Sequence, residues 1–339
     1  MRISVVVPVH NARATIGPCV AALAAQTRPA DVVYLVDNGS TDGTYEWLQE
    51  RARGEPRLRV LRERKRGPSA ARNAALRLVE DGIVAFTDAD CVAEADWLER
   101  LATAYEDPAV NAVAGGIAGR DPRTLVERYL AMTGFSLPDR ALVVRRCTPF
   151  VGFPTANLSV RAGVAARLGG FDEQMFVGED YDLCWRIVRD GGAIVYIPGA
   201  RVAHIHRASL AAMLARLFAY GAARPRLVGK HFRGRGYLTA GRRAVEFRSP
   251  VTFCVNLTSP EKVSLAMLLL SLASPWLLGC LALYWWRLAV NLRRAAQHRG
   301  VAPRSEGELL GFTGLHLLEF AASNAGSLSA SARFRAFCV

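Results

Sequence analysis

The sequence predicts an α/β fold with a mostly parallel sheet and flanking helices, followed by a helical, membrane-associated C-terminal region. Three observations predict the first part. Short β-branched runs alternate with segments of helical period along the N-terminal part of the chain, the rhythm of βαβ units. Dense clusters of turn and cap residues follow the apolar runs. Finally, the run Ile83-Val84-Ala85-Phe86 leads into Thr87-Asp88-Ala89-Asp90, placing two carboxylates at i and i+2. That pair sits at the C-terminal end of a buried strand, where open α/β sheets bind their ligands. Such carboxylates repel each other unless a cation lies between them, and a hard ion such as Mg²⁺ or Mn²⁺ takes oxygen ligands of this kind together with substrate phosphates. A solvated turn carrying two acids is the plainer alternative.

In chain order, Ile3 to Val7 is a first strand closed by Pro8, with a turn at His10-Asn11-Ala12 and a helix marked by Ile16, Cys19, Val20 and Leu23. Val32 to Val36 is a second strand. It ends in Asp37-Asn38-Gly39-Ser40-Thr41-Asp42-Gly43-Thr44, and a helix with Tyr45 and Leu48 on one face follows. Asp37 therefore occupies a strand end as Asp88 does, where a carboxylate can accept from a ribose hydroxyl or a base N–H. Leu58 to Leu61 is a third strand. After Gly67-Pro68, Ser69 is a plausible cap for a helix whose narrow stripe of Ala70, Ala71, Ala74, Ala75 and Leu78 lets it lie close to the sheet. Arg72 stands in the first turns of that helix, where it does not complement the helix dipole; an anion at the sheet edge explains it better.

Beyond the acidic pair, Asp96 caps a helix through Trp97, Leu101 and Tyr105, and Val110 to Ile117 reads as a strand. Leu125 to Leu137 reads as a helix and Pro138 to Pro154 as irregular, with Arg140, Arg145 and Arg146 available to phosphates. Asn157 to Val160 is a short strand, and Gly169-Gly170-Phe171-Asp172-Glu173 a turn. Gly178-Glu179-Asp180-Tyr181-Asp182 opens a helix with acids in its first turn. Those acids complement the dipole; this suffices for Asp182, whereas Asp180, and Glu179 as an acceptor contact, are candidates for chemistry. Ala193 to Ile197 is a strand, and His204 and His206 follow Val202. A neutral imidazole there can be structural or a metal ligand, with His204 the better placed.

The composition bounds the partners. The charge is 43 − 30 = +13, which favours anionic partners such as phosphate-bearing substrates or an acidic membrane surface. No nucleic-acid motif accompanies it. Seven scattered cysteines show no metal-ligand spacing and read as free thiols of a reducing compartment. The N-terminus breaks at Pro8, too early for a signal peptide, so a cytoplasmic catalytic part is expected.

Six pieces in order resemble glycosyltransferase family 2 on the GT-A fold, a Rossmann-like, mostly parallel sheet. They are Val5 to Asn11; Val36 to Thr44; Gly67 through Ala71-Arg72-Asn73; Thr87 to Asp90; Gly169 to Glu173; and Gly178 to Arg186. The resemblance covers roughly residues 1–221. It implies a nucleotide-sugar donor, with Asp37 and Arg72 holding the nucleoside and Pro8, His10 and Asn11 beneath the base. It implies that Asp88 and Asp90 bind ribose and a divalent metal, and that Asp180 is the general base. Asn38 stands where the family commonly has a second Asp, a change expected to be tolerated. No Q-x-x-R-W follows, so the likeness is to enzymes that add one sugar.

The expected chemistry is one in-line displacement with inversion. Asp90, with Asp88 nearby, holds the metal that stabilises the departing diphosphate, and Asp180 takes the proton of the acceptor hydroxyl. A sugar-phosphate nucleotidyltransferase would want a Gly-rich loop after the first strand, where Pro8-Val9-His10-Asn11 stands; a dinucleotide dehydrogenase fails on the same ground. A non-catalytic membrane-docked module of the same fold is the other alternative, against which all three acids are present.

The C-terminal part divides into a basic juxtamembrane linker (222–262), a hydrophobic helix (263–288) and an amphipathic tail (289–339). Val263 to Trp286 holds no charge over 24 residues, enough to span a bilayer core of about 30 Å, with Tyr284, Trp285 and Trp286 as an interfacial belt. Pro275 interrupts it. Both flanks are basic, with eight Lys and Arg residues from Arg224 to Arg248 and five from Arg287 to Arg304. A single span would place one set outside; a re-entrant hairpin bent at Pro275 keeps both inside. A second span within Leu309 to Leu328 is weakened by His316 and Glu319. The expectation is an enzyme at the cytoplasmic face of the cell membrane, integral or monotopic, with a lipid or lipid-linked acceptor.

Overall fold

The chain runs through β1 (Ile3–Val9), α1 (Ile16–Ala24), β2 (Val32–Asp37), α2 (Thr44–Arg53), β3 (Leu58–Arg62), α3 (Pro68–Leu76), β4 (Ile83–Phe86), β5 (Cys91–Ala93), α4 (Trp97–Thr103) and β6 (Val110–Gly119). It continues through α5 (Leu125–Thr133), β7 (Leu142–Val144), β8 (Leu158–Arg161), α6 (Ala162–Arg167), α7 (Glu179–Arg189) and β9 (Ala193–His204). The remainder is α8 (Leu210–His231), β10 (Arg235–Ala240), β11 (Arg243–Arg248), β12 (Thr252–Asn256), α9 (Pro260–Ser271), α10 (Leu277–His298), α11 (Glu306–Phe334) and β13 (Ala336–Cys338). The structure is a computed structural model. It describes every residue except Gly134, Ser136, Gly241 and Arg242, and Arg243 through its backbone alone.

Two compact units result. The first comprises Met1–Arg120 and Phe135–Ile205, the second Asp121–Gly134 and His206–Val339.

The first unit is built on a sheet ordered β3-β2-β1-β4-β8-β6-β9-β5, with β7 also pairing β9. Pairings β3–β2, β2–β1, β1–β4 and β6–β9 are parallel, while β8, β5 and β7 enter antiparallel. Val5, Val6, Val7, Leu35, Val36, Val84, Ala85 and Phe86 are all fully buried. These continuous apolar runs fit strands covered on both faces. Register fixes the functional edge. Val9 lies opposite Asp37 and Val6 opposite Phe86, so the residues after β1, β2 and β4 leave the sheet along one side.

Differences from the sequence reading are local. The expected helix Leu125 to Leu137 is α5 up to Thr133, and its positions 134 and 136 fall outside the described residues. Ala193–Ile197 and Val202–His204 form one bulged strand rather than two pieces. Gly67, not Ser69, precedes α3 as its cap residue; Ser69 Oγ instead donates to the Met175 carbonyl at 3.0 Å. Asp96 does cap α4 by position, but its carboxylate pairs with Arg100.

In the second unit α8, whose first half falls within the 1–221 region that the resemblance covers, packs along α11. Glycines make the approach possible: a Cβ on Gly221 would meet the Ser323 carbonyl oxygen at 1.8 Å, and one on Gly326 the Phe218 oxygen at 2.0 Å. Val126, Tyr129, Met132, Met213, Leu292, Ala296, Leu309, Phe312 and Leu315 form its core. His316 and Glu319 both bond the buried Tyr129 hydroxyl, which accounts for two polar residues on an otherwise apolar face of α11. The stretch read as a linker holds the end of α8 and the strands of a second sheet, ordered β11-β10-β12-β13. Val263 to Trp286 is not one helix: it breaks between Ser271 and Leu277, around Pro275, into α9 and α10. Among the described residues no helix is long and apolar enough to cross a membrane.

Candidate active site

The turns after β1 and β2 lock together. Asn11, at φ +48°, receives a hydrogen bond on its side-chain oxygen from Thr41 N at 2.8 Å and donates its own N–H to Ser40 Oγ at 3.0 Å. Asp37 is fully buried. Its oxygens accept from Gly39 N and Ser40 N, and Arg62 Nε lies 3.5 Å away, so the carboxylate holds its own turn. Pro8 is half-buried and His10 exposed, with Arg66 3.4 Å from the imidazole Nε2. Asn38 reaches the next loop. Its amide N–H groups donate to the carbonyls of Glu63 and Lys65 at 2.9 and 2.8 Å, and its oxygen accepts from Gly67 N at 2.8 Å. Gly67, at φ +127°, then starts α3.

Arg72 is the hub. It is 3% exposed, and donates to Glu179 Oε1 at 2.8 Å and to Asp88 Oδ1 at 3.0 Å, with its guanidinium over the Phe171 ring. One side chain thus joins the strand-end acid of β4 to the N-terminus of α7. The neighbouring Asn73 accepts from Phe171 N and donates to the Phe171 carbonyl and to Glu173, tying down the 169–173 turn. Arg72 Nε and the adjoining Thr87 Oγ1 are buried without a partner among the described residues. Such atoms mark places completed by solvent or ligand.

At the start of α7, Glu179 is buried and tied to Arg72, and Asp180 is half-buried. Burial, reinforced by the Glu179 charge, pushes the Asp180 carboxyl up to about 7; burial also raises Glu179. Asp182 departs from its expectation. It is fully buried and pairs with Arg186 at 2.8 Å, and Arg186 in turn donates to the carbonyls of Leu168 and Gly170. It is part of the frame, beyond any dipole effect.

On the other side of the acidic pair, antiparallel pairing sets Cys91 opposite His204. Asp90 Oδ2 consequently lies 3.5 Å from His204 Nε2, with Asp90 40% exposed and the imidazole buried edge-on to Phe135. Asp90, Cys91 and His204 bring one ligand atom each within 4.8 Å of one another. Asp88 is absent from that group because it is turned to Arg72. Cys91 carries no signal in the sequence beyond its adjacency to Asp90. Burial raises its thiol well above the usual value, which disfavours the thiolate form that ligates metals. The Asp90 carboxylate, open to solvent, and the His204 imidazole offer donors that fit a hard or borderline divalent ion.

A family model described as Glycosyl transferase family 2 matches residues 4–159, and one described as Glycosyl transferase family group 2 matches residues 83–296, more than half the chain. The chain belongs to glycosyltransferase family 2. The pre-mycofactocin glycosyltransferase of Mycobacterium tuberculosis is 37% identical over 171 residues, covering 49% of this chain and 36% of that protein. Glycosyltransferase AglE of Haloferax volcanii is 31% identical over 199 residues, covering 57% of this chain and 64% of its own. The chain therefore spans about a third to two-thirds of the length of these relatives. Among solved structures, the mannosyltransferase PcManGT of Pyrobaculum calidifontis, in complex with GDP-Man and Mn²⁺, superposes with a TM-score of 0.58 at 23% identity. That match covers 96% of this chain and 87% of the other, and shows that the fold is of the GT-A type.

Proposed function

We propose that this protein transfers a single sugar from a nucleotide-diphosphate sugar to a hydroxyl acceptor with inversion at the anomeric carbon. The observation that carries the reading is the Arg72 clasp. It draws the strand-end acid Asp88 and the N-terminus of α7, with Asp180, to one guanidinium. A carboxyl raised to about 7 suits a general base at neutral pH. Asp180 accepts the acceptor hydroxyl's proton as the oxygen bonds to the anomeric carbon, and the bond from that carbon to the diphosphate breaks with its electron pair leaving on the nucleotide. Arg72 holds Asp88 in place, and the interlocked turns carrying Pro8, His10, Asn11 and Asp37 form the floor for the nucleoside. Asp90 and His204 would hold Mg²⁺ or Mn²⁺, with Asp88 beside them. When bound, that ion supplies charge stabilisation to the leaving diphosphate. The glycosyltransferase names of the two relatives, and the GDP-Man complex of the structural neighbour, support a nucleotide-sugar donor. The exposed apolar residues of the C-terminal helices favour an acceptor that is a lipid or lipid-linked molecule.

Purified protein incubated with a panel of nucleotide sugars, with Mn²⁺ or with EDTA, tests this. The expected result is nucleotide release from a restricted set of donors, suppressed by EDTA. No release from any UDP-, GDP- or dTDP-sugar would instead favour a non-catalytic module.

A further inference from the structure

The hairpin of α9 and α10 is divided along its length into an anchored base and an apolar end that is exposed among the described residues of the second unit. On α10, Leu292 and Ala296 are buried in the core, with Leu288 and Ala289 packed on it. Earlier in the same helix Leu283 and Trp286 are 61% and 64% exposed. On α9, Leu268 and Leu269 are more than half exposed, and at the bend Leu272 is 83% and Trp276 68% exposed. The two helices lie together, with Trp285 Nε1 donating to Ser264 Oγ at 3.0 Å. No charged residue occurs from Val263 to Trp286. Lys262 and Arg287 then bracket the stretch immediately beyond that cross-link, and the exposed Arg294 follows.

We propose that this hairpin is a monotopic wedge that inserts into one leaflet of an anionic lipid bilayer. It goes beyond the glycosyl-transfer reading and does not depend on it. The dimensions select the mode. From the Ser264–Trp285 cross-link to the bend is about 10–12 Å at 1.5 Å per residue. That is the depth of the headgroup and upper acyl region, far short of a core of about 30 Å. Trp285 and Trp286 lie towards the base, at the level where indole rings sit among headgroups, while Leu272 and Trp276 form the apolar tip at the bend. Basic residues at the base complement anionic headgroups, and both flanks of the hairpin stay on one side of the bilayer. Glu261 stands 3.8 Å from Lys262, so the excess positive charge at the base comes from Arg287 and Arg294, and an uncharged wedge above that excess suits an anionic lipid surface better than a soluble protein partner.

The test uses the full chain and sucrose-loaded vesicles of phosphatidylcholine, with or without phosphatidylglycerol. Co-sedimentation is expected with the anionic vesicles, falling as salt rises from about 0.1 to about 0.5 M. Tryptophan emission is expected to be quenched more by lipids brominated near the headgroup than by lipids brominated near the bilayer centre. The double variant Leu269→Glu, Trp276→Glu alters exposed residues only; it should keep the far-UV spectrum and melting curve while losing binding on the order of tenfold or more. Leu310→Glu, on the exposed part of α11, should bind as wild type. Protein that stays in the supernatant with anionic vesicles overturns the proposal, as does stronger quenching from the bilayer centre. A stable dimer abolished by the hairpin variant, with no vesicle binding, overturns it in favour of a second copy of this chain. Nucleotide release in detergent-free solution should be equal in wild type and hairpin variant, so failure of the wedge is distinguishable from failure of the catalytic reading.

Discussion

Glu179 and Arg72 form a buried ion pair, Oε1 to Nη1 2.8 Å, between residues 107 positions apart. The pair ties the first acid of α7 to Arg72 and leaves Asp180, the next, as the candidate general base. Replacing Glu179 therefore acts through its neighbours. Burial and then the Glu179 charge raise the Asp180 carboxyl. Glu179→Gln keeps an acceptor for Arg72 but removes the charge, so the acidic limb of the pH–rate profile moves below its wild-type position near 7. Glu179→Ala also leaves part of a buried guanidinium unpaired and should cost about 1–3 kcal/mol, since Asp88 remains as a partner. A pH–rate limb unchanged in Glu179→Gln would show that the two carboxyls do not interact.

Asp180→Asn separates binding from chemistry. Donor affinity should be retained while turnover drops by a factor on the order of 10²–10⁴. In the wild type the rate should rise with pH through about 7, as Asp180 ionises. The stability sign is opposite. The folded-state value lies above the unfolded value of 3.8, so the contribution of Asp180 to stability is complete below the unfolded value and lost as pH rises through about 7. Asp180→Asn should accordingly melt higher than wild type at about pH 8, and gain nothing at about pH 4. Donor isothermal titration and paired melting curves measure both; weakened donor binding with intact turnover would move Asp180 to the nucleotide side.

What was legible in the sequence was local. Each strand of the parallel half is an apolar run with its own turn signal, so β1 to β4 and the edge carrying Asp37 and Asp88 could be placed without long-range information. The pairing of Arg72 with Glu179 could not. An arginine at the wrong end of a helix hinted at an anion, but nothing named a partner so distant in sequence. The bond between Asp182 and Arg186 was readable, because the two stand at the i, i+4 spacing of helix ion pairs; the dipole account passed over it. The β5 strand has only three residues, and exists because β9 bulges and continues to His204. The proximity of His204 to Asp90 follows from that pairing and from nothing in either segment alone. The hydrophobic stretch from Val263 was legible as apolar, and Pro275 as an interruption; the cross-link that makes it a hairpin was not.

Asn38 carries the next prediction. It stands where an Asp is common in the family, and the exchange was expected to be neutral. Yet its amide donates to two carbonyls, those of Glu63 and Lys65, which a carboxylate cannot do. Asn38→Asp would set an anion against both oxygens and release the loop that begins α3. The cost should be about 2–3 kcal/mol, lowering the melting temperature by roughly 4–12 °C in a protein of this size. Because Gly67 N is held by the same side chain, Arg72 loses registry and turnover should fall as well. Equal melting temperatures would show that an Asp re-forms the loop through another set of bonds.

The last prediction tests the metal assignment by two substitutions of unequal weight. The Asp90 carboxylate is 40% exposed at the sheet edge, so Asp90→Ala should fold normally. It removes the carboxylate that faces solvent beside His204. Turnover should fall on the order of 10²–10³-fold, a few kcal/mol of lost charge stabilisation at about 1.4 kcal/mol per tenfold. His204 is buried against Phe135, so His204→Ala would open a cavity; His204→Gln keeps a polar side chain of similar reach and is the better probe. It should weaken Mn²⁺ binding on the order of tenfold while retaining activity at high Mn²⁺, because the carboxylate remains. Mn²⁺ electron paramagnetic resonance titration reads affinity directly, without an acceptor. If Asp90→Ala binds Mn²⁺ as the wild type does, the ion sits elsewhere; if His204→Gln alone is unaffected, the imidazole only supports Asp90 from the strand behind it.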